Sequence, residues 1–369
     1  MTPAIVVLGD GRTFEGVSFA ATGTVSGEVV CATGMTGYQE ALTDPASRGQ
    51  LIAMTAPHIG NTGVCADDTP DQVWAGGLIV REISPVVSNW RASGTLETML
   101  SDSGVIGIGG VDTRALARHV RGRGAFRAVI STQTRDVAEL MDRLEQSPAL
   151  PSRRHGPAIS DHHGYTVEPD APVRATIAAI DMGVTEAALD SLVRAGARTR
   201  VVPGAAPIAD VVACAPDGIY LSSGPGDPAA ADDTAAMIRQ ALERRIPVFG
   251  TGLGFQILAR ALGYQTYRMD AGHHGLNHPV RDLARGGVLI TSHHHDYAVS
   301  ASPEPFHSPF GEVTMSHVSL NDGVVEGLTM TDRIVFGVQF DPGGHPGPHD
   351  AAALFADFID RIAGSGGQH

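Results

Sequence analysis

The chain changes its hydrophobic rhythm near the middle. Through residue 150, short apolar runs alternate with turn residues: "AIVVLGDGRTFEG", "SGEVVCATG", "QLIAMTAP" and "AGGLIVREI". Runs this short, rich in β-branched residues and bounded by Gly, Pro or Asp, predict strands. One helix closes this half, in "DTRALARHVRGRG". Leu116 and Val120 fall one turn apart, Asp112 or Thr113 can cap the start, and Gly122 or Gly124 ends it. Residues 151–172 are polar, carry Pro and Gly, and lack any period, which predicts a linker whose His162 and His163 are solvated.

From residue 173 to 369 the pattern is different. Buried-strand runs ("RATIAAID", "TRVVPG", "DGIYLSS", "IPVFG") alternate with helical ones ("EAALDSLVRAG", "DDTAAMIRQALERR", "FQILARALG"). Such alternation predicts βαβ units and a doubly wound, mostly parallel sheet, so the chain reads as a β-rich α/β domain (1–150) followed by an α/β domain. Sites in such sheets lie beyond the carboxyl ends of the strands. "SSGPGD", "GTGLG" and "FDPGGH" (340–345, after "RIVFGVQF") should therefore share one rim. "GTGLG" is a strand–turn–helix junction of the kind that displays a reactive side chain at its apex. Its apex residue, Gly252, has none.

Composition narrows the classes. At 369 residues, 43% apolar and 18% charged, the chain suits two globular domains. No apolar run spans a bilayer and "MTPAIVVLGDGRTF" lacks a signal-peptide plan, so no membrane association and a cytoplasmic location are expected. Three scattered cysteines, Cys31, Cys65 and Cys214, suggest neither disulfides nor a zinc site. A net charge of −14 argues against a broad nucleic-acid-binding face. All 26 basic residues are arginine, which removes lysine amine chemistry. "GVIGIGGVDTR" looks like a dinucleotide loop but lacks the βαβ context with an acidic second strand.

Longer strings carry a resemblance. "GEVVCATGMTGYQEALTDP" and "PHIGNTG" resemble the large-subunit-docking domain of the carbamoyl-phosphate synthetase small-subunit family; "LSSGPGDP", "GHHGLNHPV" and "PGPHD" resemble its class I glutamine amidotransferase domain. The resemblance covers essentially the whole chain and implies a large-subunit partner bound through residues 1–150. In that family an elbow cysteine attacks glutamine, a histidine shuttles protons and a glutamate orients it. The strings "FGTGLGFQ" and "DPGGHPGPHD" put Gly252, Asp341 and Gly343 at those three positions, so the resemblance implies a degenerate triad without thioester chemistry.

The glutamine pocket implied by the family is changed as well. Its Q-N-H-G-F string reads "HHHDY": His293 and His294 replace amides, His295 matches, Asp296 replaces glycine and Tyr297 replaces phenylalanine. Ala46 stands where the family has a serine, with Ser47 beside it, and His345 stands in place of another serine. Gly224, Gly226, Leu253 and Gln256 survive as pocket residues, and the amides after the elbow, including that of Gly254, could still form an oxyanion hole. His273, His274, His278 and His349 belong to the family pattern and read as structural, although His274 or His278 could reach the pocket. Thr251 should point away from the apex.

Two readings fit. In one, the pocket is repurposed for a small polar amide, ureido or amino-acid-like ligand. His293, His294, Asp341 and His345 then act as acids and bases, or as ligands of a divalent Zn, Fe or Mn ion. In the other, the chain is a non-catalytic pseudo-glutaminase, a partner or regulator of a carbamoyl-phosphate-synthetase-like large subunit that draws on free ammonia. Consecutive strand residues point to opposite faces, so at most two of the three adjacent histidines can face one ion.

Overall fold

A computed structural model describes residues 2–65, 72–124, 126–147 and 164–365. The chain divides into two compact units, Met1–Arg153 with Asp270–Gly275, and Arg154–Met269 with Leu276–His369. The inclusion of Asp270–Gly275 in the first unit was not foreseen. Residues 151–163 of the expected linker, with His162 and His163, lie outside the described residues. The rest of that stretch includes a strand, Tyr165–Val167, paired antiparallel with Ala197–Pro203.

In the first unit seven strands close into a barrel, in the order Thr2–Leu8, Thr13–Ser18, Ile106–Gly109, Gly77–Ile79, Leu51–Met54, Thr24–Ala32 and Phe126–Ser131. The two-residue period of a strand sorts its side chains. Ala4, Val6 and Leu8 join one cluster with Leu51, Ile108 and Ile130, whereas Ile5 and Val7 pack outward against Leu140 and Leu144 of helix Val137–Gln146. Each fully buried Val, Leu or Ile here is worth about 1.5–3 kcal/mol over its exposed state. The helix read in "DTRALARHVRGRG" spans Thr113–Val120; Asp112 is its cap, accepting the Ala115 N–H at 2.9 Å, and Leu116 is fully buried.

The second unit is built on an eleven-stranded sheet. Five adjacent strands, Ala197–Pro203, Ala175–Asp181, Gly218–Leu221, Val248–Thr251 and Val335–Val338, run parallel. Helices cover both faces, as the alternating buried positions require. Ile177 and Ala179 pack with Leu189, Leu192, Phe355 and Phe358 on one side; Ala178 and Ile180 pack with Ile238, Leu242, Phe255 and Leu258 on the other. On the first of these faces Phe249 stacks on Phe336 at 4.6 Å and meets Phe355 edge-on at 5.5 Å.

The sheet then continues past the parallel strands. Val325–Met330 pairs antiparallel with Val335–Val338, and Gly311–Ser319 and Val288–Ser300 pair antiparallel with Val325–Met330. The strands Gln265–Asp282 and Phe306–Ser308 complete this side. This extension carries the histidine-rich segments, whose mixed polar sequence masks the usual alternation.

Candidate functional site

Three neighbouring parallel strands, Gly218–Leu221, Val248–Thr251 and Val335–Val338, end at the same edge. Their continuations, Ser222–Asp227, Gly252 and Gln339–His345, therefore share one rim, as the strand–helix alternation required. The chain turns sharply at Gly252, where φ is 53° and ψ −117°, before helix Leu253–Leu262 begins. A side chain at this conformation is strained, and glycine adopts it cheaply. The Gly252 N–H donates to Val338 O at 3.0 Å, and the Gly254 N–H donates to Ser222 O at 3.0 Å. The Gly254 amide is thus engaged within the backbone, which corrects the expectation that it serves an oxyanion hole.

The space above the apex is also occupied. A Cβ added at Gly252 would lie 2.5 Å from Ser223 Oγ. Thr251 does point away: its hydroxyl meets Tyr220 Oη at 2.8 Å in the interior. Gly224 is held against the backbone, since a Cβ there would sit 2.0 Å from Met182 O. Leu253 is buried among apolar residues of the helical face. The Gln256 amide nitrogen donates to Tyr297 O (2.8 Å) and to Gln339 Oε1 (2.9 Å), tying the helix to the strand Val288–Ser300 and to the segment that follows Val335–Val338. In the first unit, the buried Ser47 donates its hydroxyl to Ala41 O at 2.6 Å, one residue after Ala46.

Asp341 is the most constrained acid of the rim. Its Oδ1 accepts the Gly343 N–H at 2.9 Å and its Oδ2 accepts the His345 N–H at 3.0 Å, so the carboxylate folds the "DPGGH" turn onto itself. Burial pushes its pKa up, opposed by those two amides and by the nearby His345 and His349. His345 is exposed and its ring meets that of His349 edge-on at 5.3 Å. The His349 Nδ1–H donates to Gly343 O at 2.9 Å. Gly343 contributes backbone to this turn and Gly226 a positive φ of 105° to its own.

The strand Val288–Ser300 splits the histidine run by its pleat. His293 and His295 are buried on one face, whereas His294 and Asp296 are half-buried and alternate to the other. Tyr297 is half-buried beneath the Arg268 guanidinium, 5.6 Å from its ring centre. On the inner face, His293 Nδ1 lies 3.1 Å from His295 Nε2, and Glu326, fully buried, reaches to 3.7 Å from His293 Nδ1 and 4.0 Å from His295 Nε2. These donor atoms lie within 4.8 Å of one another. Of the four residues expected to share a metal, His293 alone belongs to this cluster. His294, Asp341 and His345 are not brought into it: the pleat turns His294 away, and the turn of Asp341 engages both its oxygens.

Sequence reasoning missed Glu326 and Ser223 and gave His295 no role. The signal for Glu326 was a single acid inside the apolar run "VVEGL", which has to find a partner once buried.

The fold agrees with what known proteins share with this chain. Residues 6–130 match the family described as "Carbamoyl-phosphate synthase small chain, CPSase domain", and residues 178–361 match "Glutamine amidotransferase class-I". The chain belongs to the carbamoyl-phosphate synthase small chain family. It is 43% identical to the carbamoyl phosphate synthase small chain of Streptomyces avermitilis, over 98% of this chain and 96% of that one. Against the small chain of Mycobacterium tuberculosis the identity is 42%, over 99% and 100% of the two chains. A glutamine amidotransferase structure from Thermotoga maritima covers 52% of this chain and 98% of its own at 14% identity, with a TM-score of 0.41. Among the described residues no helix is long and apolar enough to cross a membrane.

Proposed function

We propose that this family member acts as the small chain of a carbamoyl-phosphate-synthase-type assembly and does not hydrolyse glutamine through a cysteine thioester. The observation that carries this reading is the apex at Gly252. It keeps the φ 53°, ψ −117° backbone of a strand-to-helix elbow, offers no nucleophile, and has Ser223 Oγ where a Cβ would need room. With Gly343 at the glutamate position and Asp341 engaged with its own turn, the other two members of the family triad are missing as well. Family membership supports docking of a large chain by residues 1–150, which would then draw on free ammonia.

A repurposed pocket, binding a small amide, ureido or amino-acid-like ligand through His293, His294, Asp341 and His345, has less support. That reading needs four side chains to converge. His293 is buried behind the strand, and the carboxylate oxygens of Asp341 each hold a backbone amide. The test is direct. The purified chain should release no glutamate from glutamine, and mixed with its large chain it should support carbamoyl phosphate formation from ammonia but not from glutamine. Glutamate release at a rate typical of glutaminases would refute the reading.

A further inference from the structure

The inner face of Val288–Ser300 holds three Lewis-basic groups whose hydrogen bonds fix where their lone pairs point. The hydroxyl of Thr291 donates to His278 O at 3.0 Å, so its oxygen is left to accept from His293 Nε2 at 2.7 Å. The Nε2–H of His293 is thereby assigned, and a neutral His293 presents a bare Nδ1 to the cluster. His295 Nδ1 lies 2.9 Å from Tyr297 O, which can only accept, so a neutral His295 presents a bare Nε2. These two lone pairs face one another across 3.1 Å, beside the fully buried carboxylate of Glu326. Two ring nitrogens and a buried carboxylate converging in this way offer a cation a set of donors on one face of the strand.

We propose that His293 Nδ1, His295 Nε2 and a carboxylate oxygen of Glu326 form a buried binding site for a divalent transition metal, Zn²⁺ being the ion that suits two imidazoles and one carboxylate. Bonds of about 2.0–2.1 Å to a tetrahedral ion place donors roughly 3.3 Å apart. The two ring nitrogens already stand 3.1 Å apart; the carboxylate brings Oε2 to 3.7 Å from His293 Nδ1 and Oε1 to 4.0 Å from His295 Nε2, so a turn of the Glu326 carboxylate would bring one oxygen in as the third donor. The outer partners have the form such sites use: each ring's far nitrogen is held by an oxygen, Thr291 Oγ1 for one and Tyr297 O for the other. His278 stacks on His293 at 4.7 Å and limits its rotation.

The site is distinct from the four-residue set expected from sequence, and it does not depend on whether the chain docks a large partner or lacks glutaminase activity. Its test needs no activity. The full chain, produced without a histidine tag, is stripped with chelator and titrated with Zn²⁺ and with Co²⁺. The expected result is one equivalent of Zn²⁺ by elemental analysis, a rise in melting temperature on reloading, and the visible absorption of tetrahedral Co²⁺. Glu326→Gln keeps the side-chain volume and should lower affinity at least tenfold. Thr291→Val, which removes the oxygen behind His293, should lower it by about 10–100-fold while leaving the unloaded chain folded. Substoichiometric metal, no cobalt spectrum and nitrogen shifts showing a doubly protonated His293 would overturn the proposal in favour of a buried imidazolium–carboxylate pair.

Discussion

The strand-end rim and the antiparallel extension of the second unit both concentrate polar side chains, but they satisfy them in different ways. At the rim, polar groups are matched by backbone: Asp341 by two amides, Gly254 by a carbonyl, Gln256 by a carbonyl and a second amide side chain. In the extension, His293, His295 and Glu326 turn their polar atoms toward one another, in mutual reach. The difference separates a wall from a cage. Backbone matches lock a loop into one shape, whereas side chains facing one another gather several donor atoms around one point.

Substitutions should expose that contrast. Removing Glu326 strands two imidazoles in the interior, so Glu326→Ala should cost about 3–5 kcal/mol in chemical denaturation. A loss under 1 kcal/mol would mean the cluster is not electrostatically coupled. Asp341→Ala orphans two amides at a half-buried turn and should cost less, about 1–3 kcal/mol. If it cost more than the Glu326 change, the rim rather than the extension would be the stressed region.

Gly252→Ala comes next, since it adds both backbone strain and the encounter with Ser223 Oγ. A loss of about 1–3 kcal/mol is expected. A Ser223→Gly background should return the steric part and leave the backbone part; a full loss in both backgrounds would assign the cost to φ alone.

The smallest effect should be a pH dependence in the extension. Burial lowers the pKa of His317 from 6.5, partly offset by Asp282. A depressed folded-state value means the unfolded chain binds the proton more tightly. The stability this residue supports is therefore complete above pH 6.5 and is lost as pH falls toward the folded-state pKa. Melting temperatures at pH 7.5 and 5.5 should differ by less in His317→Gln than in the parent chain. An unchanged difference would place the titration elsewhere.

The sequence made the rim legible because each of its loops follows a strong apolar strand and begins with a glycine-rich turn. "FGTGLGFQ" could be placed at an elbow from its flanks alone, and the structure gives Gly252 the left-handed φ such an apex needs. The extension was not legible. Its strands are long, polar and antiparallel, and their partners are set by sheet register rather than by local pattern. Strand alternation alone pairs His293 with His295 and sets His294 apart, yet nothing local places Glu326 opposite them. Similarly, the hydroxyl of Ser223 at the apex follows from two parallel strands lying side by side, which adjacency in sequence does not record.

That hydroxyl makes position 223 the gatekeeper of the apex. Ser223 Oγ stands 2.5 Å from the place a Cβ at 252 would take, and it is the rotatable end of its side chain. A residue placed at 252 therefore asks the hydroxyl to turn to another rotamer rather than asking the backbone to move. What the apex can carry is set by the neighbouring strand's side chain as much as by its own φ.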